Sequence, residues 1–319
     1  MSRAERSAGS VTESAATAGD RPIAELAVAL LGTGRMGAAM ATALSRAGAR
    51  LTLYNRTRWR ADALADKLGA SVARSAADAA ADADVVITMV ADDDAVRSLY
   101  REPGGLLGGL SERTVAVDMS TVLPDTIRSL EADVRATGAG ILDAPVSGSV
   151  PLAEAGTLTL MVGGEVADLE RARPALEGLS SRIFHLGPLG SGATIKLAVN
   201  AIVFGLGSSI AEALVLAEKA GVDRRLAYEV FAASTFRSPF LDYKRDSFID
   251  PDTTPVAFSV GLAQKDLRLI LELARRVNAS MPQAALNLDV LGDTAADVGA
   301  DRDFAAVAEH LRRGRTGMA

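Results

Sequence analysis

Apolar and polar positions follow two different patterns along the first 187 residues of the chain. Short apolar runs such as "LAVALLG" and "DVVITMV" are typical of buried strands, and each is followed by a segment with helical spacing, such as "MGAAMATALSRAG". This alternation predicts a mostly parallel sheet whose strands are joined by right-handed crossovers. Beyond residue 187 the pattern is helical, and one long apolar helix is expected over about 191–220.

The change of pattern predicts three parts in the chain. We expect a mobile tail at residues 1–22, a sheet domain of Rossmann type at 23–189 and an all-helical domain at 190–319. The fold class is therefore α/β with a C-terminal all-α domain. The tail is rich in Ser, Ala and Gly and lacks apolar periodicity. A transit peptide is the alternative for the tail, although its carboxylates Glu5, Glu13 and Asp20 argue against one.

Composition excludes several classes of function. The net charge of -6 gives no electrostatic footprint for nucleic acid or an anionic membrane, so we expect neither partner. The absence of cysteine excludes thiolate nucleophiles and Cys-ligated zinc, and it fits a reducing, cytoplasmic setting. We expect no metal site, and structural roles for the two histidines, His185 and His310. Polar residues interrupt the apolar segment 197–217, which favours a buried helix over a membrane span.

A glycine run, "GTGRMG", joins the first predicted strand to the first predicted helix. Its glycines follow the GxGxxG spacing: Gly32 permits a tight turn, Gly34 lets the backbone approach a pyrophosphate, and Gly37 lets helix and strand pack closely. The helix N-terminus supplies free N–H groups for phosphates. The run therefore predicts a dinucleotide site, with a plain strand-to-helix turn as the alternative.

The end of the second strand indicates which dinucleotide is bound. An NAD-binding chain usually carries Asp or Glu at this position to accept from the ribose 2′-hydroxyl, whereas this chain has Asn55, Arg56 and Thr57. Arg56 can form charge-assisted bonds with a 2′-phosphate, and Thr57 adds a hydroxyl. We therefore predict NADP(H) over NAD(H). The alternative is that Arg56 and Arg58 are solvated loop charges.

Two residues of the long apolar helix are candidates for catalysis. Lys196 and Asn200 are spaced i, i+4 and share one helical face. A lysine at a cleft can protonate a developing alkoxide or take a hydroxyl proton, and burial lowers its pKa towards neutrality. Asn200 would orient the lysine or the substrate oxygen. The alternative is a lysine that only extends its charged end to solvent beside an apolar stripe.

A small-residue turn follows the last strand of the alternating pattern. Ser147, Gly148 and Ser149 offer backbone N–H groups and two hydroxyls, which can hold a carboxylate. Such turns are common, so the motif is weak when taken alone.

Four blocks in order resemble the β-hydroxyacid dehydrogenase family, which includes 3-hydroxyisobutyrate dehydrogenases and glyoxylate/succinic semialdehyde reductases. They are "LLGTGRMGAAMA", "DAPVSGSVPLAEAGTLTLMVGG", "GSGATIKLAVN" and "FSVGLAQKDLRL", and the resemblance covers the chain beyond its tail. It implies a hydride transfer between a nicotinamide cofactor and a small β-hydroxy acid or semialdehyde acid. It also implies that Lys196 is the catalytic lysine and Asn200 its partner.

The resemblance implies further site residues. Ser147, Gly148 and Ser149 match a substrate-carboxylate loop, and Phe258 and Asp266 match residues that close the cleft. Thr121 matches a residue near both the nicotinamide and the substrate. Lys265 matches a cofactor-contacting lysine, although a surface helix is the plainer interpretation of "QKDLRL". The residues expected at the cofactor are Gly32, Thr33, Gly34, Arg35, Met36, Gly37, Asn55, Arg56, Thr57, Val90, Thr121 and Lys265.

Departures from the family pattern affect the expected substrate. "SGS" and "NRT" resemble the NADPH-linked semialdehyde reductases more closely than the 3-hydroxyisobutyrate dehydrogenases. Arg237 or Lys244 could meet a second substrate carboxylate, or either could be a surface charge. An imine reductase and a non-catalytic NADP-binding protein are the alternative functions. The long apolar helix also leads us to expect a homodimer or homotetramer.

Overall fold

In the computed structural model, which describes residues 21–314, nine strands form one sheet with helices on both faces. The strand order is β3-β2-β1-β4-β5-β6, then β8, with β7 and β9 each paired to β8. All pairs are parallel except those that β8 makes with β6 and β7. The strands are β1 Ala27–Leu31, β2 Arg50–Tyr54, β3 Ser71–Val72, β4 Val85–Thr88, β5 Val115–Asp118, β6 Gly140–Asp143, β7 Val146–Ser147, β8 Leu158–Gly164 and β9 Ser180–His185.

Eight helices pack on the sheet and bury both of its faces. In β1, Val28 and Leu30 belong to the apolar core on one face, while Ala29 and Leu31 belong to the core on the other. Burial on both faces is why the parallel strands are continuously apolar. The helices are α1 Arg35–Arg46, α2 Arg58–Leu68, α3 Ala76–Ala80, α4 Asp93–Arg101, α5 Pro124–Arg128, α6 Glu131–Ala136, α7 Val150–Ala155 and α8 Val166–Glu177.

Residues beyond the sheet form a helical domain with a core of its own. α9 runs through this core, where its Leu197, Phe204 and Leu214 are buried against the later helices. By length and composition α9 is apolar enough to cross a membrane, a test that the core helix of a soluble protein also passes. The helices are α9 Ser191–Lys219, α10 Arg224–Ala233, α11 Pro239–Ile249, α12 Val260–Arg276, α13 Pro282–Val298 and α14 Val307–Arg313.

The predicted fold class is confirmed, and the long helix lies within one residue of its expected end. One predicted helix, "PDTIRSLEADVRATG", is wrong in being continuous, because it is divided between α5 and α6. The Ser129 hydroxyl donates to the Thr126 carbonyl over 2.7 Å, and the Leu130 N–H donates to the Ile127 carbonyl, so the chain tightens into a turn there. The two-residue strands β3 and β7 were not predicted.

Most of the predicted tail, residues 1–20, lies outside the described residues. Arg21, which we assigned to the tail, is held against the sheet by a 3.1 Å bond to Asp84. The domain boundary between residues 189 and 190 stays a prediction.

Candidate active site

The glycine run forms the turn between β1 and α1, and two of its glycines are required by close backbone contacts. Gly32 has φ of +101°, and a Cβ there would lie 2.2 Å from the Met89 carbonyl oxygen. A Cβ on Gly37 would lie 1.9 Å from the Gly32 carbonyl oxygen. A Cβ on Gly34, by contrast, would meet nothing within 4 Å, so open space lies in front of the turn. No side chain caps the first turn of α1, which leaves its N–H groups available to an anion.

The end of β2 is bonded to this turn. Asn55 Oδ1 accepts from the Thr33 N–H over 3.1 Å, and Asn55 Nδ2 donates to the Thr57 carbonyl over 3.0 Å. The Thr33 hydroxyl is buried without a hydrogen-bond partner among the described residues. Such an orphaned hydroxyl beside an open anion-binding turn fits a bound dinucleotide phosphate, and so do the two close-packed glycines.

Arg56 and Arg58 follow Asn55 and are both exposed, but their surroundings differ. Arg58 lies 3.4 Å from the Asp62 carboxylate, one helical turn further along α2. In residues 21–314 Arg56 has no ion-pair or hydrogen-bond partner. The Arg56 guanidinium is therefore the one at this strand end that remains available to a ligand anion. Arg35 is exposed at the start of α1, and Met36 is half-buried.

The loops after β4 and β5 are tied together by a buried carboxylate, Asp118, which is 1% exposed. Asp118 accepts from the Thr88 hydroxyl over 2.5 Å and from the Ser120 N–H over 3.0 Å. The Val90 N–H in turn donates to the Ser120 hydroxyl over 3.0 Å. Burial raises the pKa of Asp118 to about 7, against these hydrogen bonds. The network ties Val90 to Ser120, the residue before Thr121, at neighbouring strand ends.

The loop after β7 carries Ser147, Gly148 and Ser149. Gly148 is exposed with φ of +146°, and the two serines are half-buried. In the part of the chain that the structure describes, neither serine hydroxyl forms a hydrogen bond, and Ser149 precedes α7 without capping it. Two unused hydroxyls and an unusual glycine conformation suit a loop that binds an anionic group.

A cluster of charged and amide groups lies between α9 and α12. Asn200 is 6% exposed, and its Nδ2 donates to Asp266 Oδ2 over 2.7 Å. Asp266 is 2% exposed, and its other oxygen lies 2.7 Å from Lys265 Nζ. Lys265 Nζ also donates to the Thr121 carbonyl over 2.7 Å, which joins the helical domain to the loop after β5.

Lys196 is half-buried one turn before Asn200, and the charges of Asp266 and Lys265 act on its amine. Burial is the main cause that lowers the pKa of Lys196 to about 8. The Asp266 carboxylate acts in the opposite direction, and the charge of Lys265 lowers the pKa further. An amine with this pKa can both give and take a proton near neutral pH.

Phe258 lies against the same region of the helical domain. Its ring centroid is 6.0 Å from that of Phe204 on α9, and the N–H groups of Ala257 and Phe258 both donate to Asp303. Asp303 also accepts from Lys244 Nζ, at 2.7 Å and 2.8 Å from its two oxygens, and Lys244 is 1% exposed. Neither role considered for Lys244 is correct, because the lysine is buried in a structural ion pair.

Arg237 and the two histidines lie outside the cluster around Lys196. Arg237 is a surface charge, 69% exposed in its side chain and 3.7 Å from Asp242. His185 bonds to the Gly164 carbonyl, and His310 bonds to Asp297. Among the described residues, no group of three or more His, Cys, Asp or Glu side chains could hold a metal ion.

Sequence reasoning missed two buried carboxylates at strand ends, Asp118 and Asp143. Asp143 accepts from the N–H groups of Gly190 and Ala193, each over 2.7 Å. Burial raises the pKa of the Asp143 carboxyl, and those two bonds oppose the shift. The signal in the sequence was an Asp that closes an otherwise apolar strand, in "VAVD" and "GILD".

Two family models match the chain in succession. Residues 27–187 match the NAD binding domain of 6-phosphogluconate dehydrogenase. Residues 190–311 match a model described as NAD-binding of NADP-dependent 3-hydroxyisobutyrate dehydrogenase.

Full-length relatives agree with the models. An NAD-dependent L-serine dehydrogenase of Pseudomonas aeruginosa is 36% identical over 286 residues, which cover 88% of this chain and 96% of that protein. The chloroplastic glyoxylate/succinic semialdehyde reductase 2 of Arabidopsis thaliana is 35% identical over 91% of this chain and 81% of that one. The solved structure of a Mycobacterium tuberculosis 3-hydroxyisobutyrate dehydrogenase with L-serine has a TM-score of 0.79 and 35% identity, over 90% of this chain and 99% of that one. An imine reductase from Pseudomonas sp., at 22% identity and a TM-score of 0.60 over 90% of this chain and 99% of its own, shares the fold alone.

Proposed function

This chain belongs to the β-hydroxyacid dehydrogenase family, and we propose that it is an NADP(H)-dependent enzyme that reduces a small acid with an aldehyde group to the corresponding hydroxy acid. That it is an NAD(P)-dependent oxidoreductase follows from the family. The substrate, the cofactor preference and the residue roles given below are our proposals. The observation that carries them is the half-buried Lys196, whose pKa is lowered to about 8 beside the Asn200–Asp266 pair.

The proposed cofactor site is the turn between β1 and α1 with the ends of β2, β4 and β5. Backbone N–H groups from Gly34 to Gly37 would hold the pyrophosphate, and the buried Thr33 hydroxyl would gain the partner it lacks. Val90 and Thr121 lie at the strand ends where ligands of open α/β sheets bind. The nicotinamide supplies a hydride in reduction and accepts one in oxidation.

Our proposal of NADP(H) rests on two features of the β2 end. No carboxylate is present there to repel a 2′-phosphate, and Asn55 is already occupied in holding Thr33 and Thr57. Arg56 is exposed and lacks a protein partner in the described part of the chain, whereas Arg58 is paired with Asp62. Arg56 is therefore the residue that we propose as the phosphate ligand.

Lys196 is proposed to move the proton that accompanies the hydride. In reduction its ammonium group donates a proton to the aldehyde oxygen as the hydride reaches the carbonyl carbon, which leaves an alcohol and a neutral amine. In oxidation the neutral amine takes the hydroxyl proton. Asn200 would orient this exchange, with Asp266 fixing its amide through the 2.7 Å bond.

The substrate carboxylate is proposed to bind at Ser147, Gly148 and Ser149. The two serine hydroxyls are half-buried, and the open glycine between them lets the backbone approach an anion. Phe258 and Asp266 would line the helical side of the cleft. L-serine is itself a β-hydroxy acid, and the names of two similar proteins include it, so it joins the substrates to be tested.

We further propose a soluble, cytoplasmic homodimer or homotetramer. The absence of cysteine fits a reducing compartment. α9 exposes an apolar stripe near its start, defined here as Ile195, Ala198 and Ile202, and in it Ile202 is 71% exposed. A stripe of this kind on a helix is suited to cover by a second copy of the chain.

The test is a panel of substrates with both cofactors, followed at 340 nm. In the reducing direction, NADPH or NADH would be supplied with glyoxylate, with succinic, methylmalonate or tartronate semialdehyde, or with a cyclic imine. In the oxidising direction, NADP+ or NAD+ would be supplied with L-serine or 3-hydroxyisobutyrate. Turnover of an acid aldehyde with preference for NADPH supports the proposal. Turnover of the imine alone would assign an imine reductase, and preference for NADH would overturn the role of Arg56.

A further inference from the structure

Asp143 joins the sheet to the first turn of α9. It is the last residue of β6, it is 1% exposed, and its two oxygens accept from the Gly190 and Ala193 N–H groups over 2.7 Å each. Gly190 is the N-cap of α9 and has no side chain that could cap the helix. The Asp143 carboxylate caps it instead, although Asp143 is 47 residues from Gly190 and 50 residues from Ala193 in sequence. A carboxylate at a helix N-terminus also interacts favourably with the helix dipole.

The space around this carboxylate is closed by glycines. A Cβ on Gly163, the β8 residue that pairs with Asp143, would lie 2.4 Å from Asp143 Oδ1. A Cβ on Gly192 would lie 2.9 Å from Asp143 Oδ2 and 2.1 Å from the Met161 carbonyl oxygen. β8 and α9 can therefore approach the carboxylate this closely only because both positions lack a side chain.

Each side of this contact is followed closely in sequence by one half of the proposed substrate site. Ser147, in the proposed carboxylate loop, follows Asp143 by four residues. Lys196 follows Ala193 by three residues, which is less than one helical turn. A second tie lies beside the first, where Arg128 Nε donates to the Leu189 carbonyl over 3.0 Å.

From this arrangement we infer that Asp143 is a positioning residue, which sets the Lys196 amine at its working distance from a substrate held at Ser147–Ser149. This inference rests on the proposed function. Asp143 touches neither substrate nor cofactor in it. Its effect passes through the α9 backbone, because both of its acceptor oxygens bind N–H groups of the helix start. A displacement of about 1 Å in such a site is enough to reduce turnover about 100-fold.

The test compares Asp143→Asn with a matched control, Asp168→Asn. The Asp143→Asn side chain keeps one acceptor oxygen but turns an NH2 group against a backbone N–H donor, so one of the two bonds is replaced by repulsion. Asp168 is 4% exposed and bonds to the Ile141 N–H of the same strand, away from α9. Melting temperature, NADPH affinity, kcat, KM and the pH dependence of kcat would be measured for both variants.

We expect Asp143→Asn to reduce kcat by roughly 10- to 100-fold, with NADPH affinity retained and with a displaced midpoint in the pH profile. Asp168→Asn should lower the melting temperature and leave kcat and the midpoint unchanged. Equal loss of melting temperature in both variants, with wild-type kcat and midpoint in Asp143→Asn, would overturn the inference. Should Asp143→Asn fail to fold, Asp143→Glu keeps the charge but moves the carboxylate by one methylene group, and it is expected to reduce kcat several-fold. An unchanged kcat in Asp143→Glu would overturn the inference.

A readout independent of turnover separates this inference from the proposed function. Peptide mass spectrometry would measure the fraction of Lys196 that an amine-reactive reagent modifies at each pH. The pH at half-maximal modification reports the midpoint of the Lys196 titration in each variant. A midpoint that moves in Asp143→Asn and stays in Asp168→Asn supports the inference even where no member of the panel is turned over. A midpoint that moves in neither variant counts against it.

Discussion

Asn200 donates from Nδ2 to Asp266 Oδ2 over 2.7 Å, so a buried amide joins α9 to α12 one helical turn from Lys196. The same carboxylate lies 2.7 Å from Lys265 Nζ, which leaves one negative charge among two ammonium groups. Burial is the main cause of the lowered pKa of Lys196, and the opposing charges of Asp266 and Lys265 adjust it from there.

The first prediction concerns pH. Because burial lowers the pKa of Lys196 to about 8, aldehyde reduction, which needs the ammonium form, should lose kcat as the pH rises through 8. Oxidation, which needs the neutral amine, should gain kcat over the same range. Asp266 raises the pKa of Lys196, so Asp266→Asn should move both midpoints to lower pH. Profiles of kcat in both directions check this, and midpoints that stay in place in Asp266→Asn would contradict it.

The second prediction is that Lys196→Ala reduces kcat by roughly 100- to 10,000-fold, the usual contribution of a positioned acid–base group. NADPH affinity, measured by fluorescence titration, should stay within a few-fold because the nucleotide turn is elsewhere. Lys67→Ala is the control, since Lys67 is exposed on α2. A Lys196→Ala variant with wild-type turnover would favour a non-catalytic role for the Lys196 cluster.

The third prediction separates two neighbouring arginines. Arg56→Ala should raise the KM for NADPH by roughly 10- to 100-fold, as expected for losing a hydrogen bond to a charged group, and leave the KM for NADH unchanged. Arg58→Ala should affect neither, because Arg58 is paired with Asp62. An equal rise in the KM for NADPH in the two variants would show that the loop acts only through its net charge.

The fourth prediction concerns the buried Lys244–Asp303 pair. Lys244→Met should destabilise the fold by about 3–5 kcal/mol, because it leaves a buried carboxylate without its counter-charge. Asp303 also holds the N–H groups of Ala257 and Phe258, so KM for the substrate should rise as Phe258 shifts. Chemical denaturation and kinetics measure the two effects. Arg225→Met, which breaks the exposed Arg225–Asp250 pair, should cost about 1 kcal/mol or less.

The fifth prediction concerns assembly. Ile202→Glu places a charge in the exposed α9 stripe and should convert the assembled enzyme into monomers, as measured by light scattering after size-exclusion chromatography. Val277→Glu is the matched control, since Val277 is 64% exposed at the end of α12, outside the stripe. A wild-type chain that is monomeric at all concentrations would refute the proposed oligomer.

Local pattern was sufficient for the nucleotide turn and for the long helix. Gly37 is required by a contact with Gly32 inside the turn itself, and the apolar spacing of α9 is visible along its whole length. The GxGxxG spacing also identified Gly32, although the contact that excludes a side chain there is with Met89, far away in sequence. The division between α5 and α6 was missed because a hydroxyl bond at Ser129, rather than a proline or glycine, ends the first helix.

Contacts between residues distant in sequence could not be predicted in the same way. Lys244 meets Asp303 across 59 residues, and Asp143 meets Ala193 across 50. In sequence Lys244 looks like any solubilising lysine, and its burial follows only from the packing of α11 against the helical turn Phe304–Ala306. One strand-ending Asp in an apolar run was the available sign of such a contact.

One helix, α9, contains both the proposed catalytic Lys196 and the exposed apolar stripe. α9 has 29 residues, which corresponds to roughly 44 Å of helix, and Lys196 lies beside Ile195 of the stripe near its start. Should a second copy cover that stripe, mass action would couple assembly to turnover. Specific activity would then fall when the enzyme is diluted and recover when it is concentrated, and a freshly diluted sample would show curved progress traces while its subunits separate.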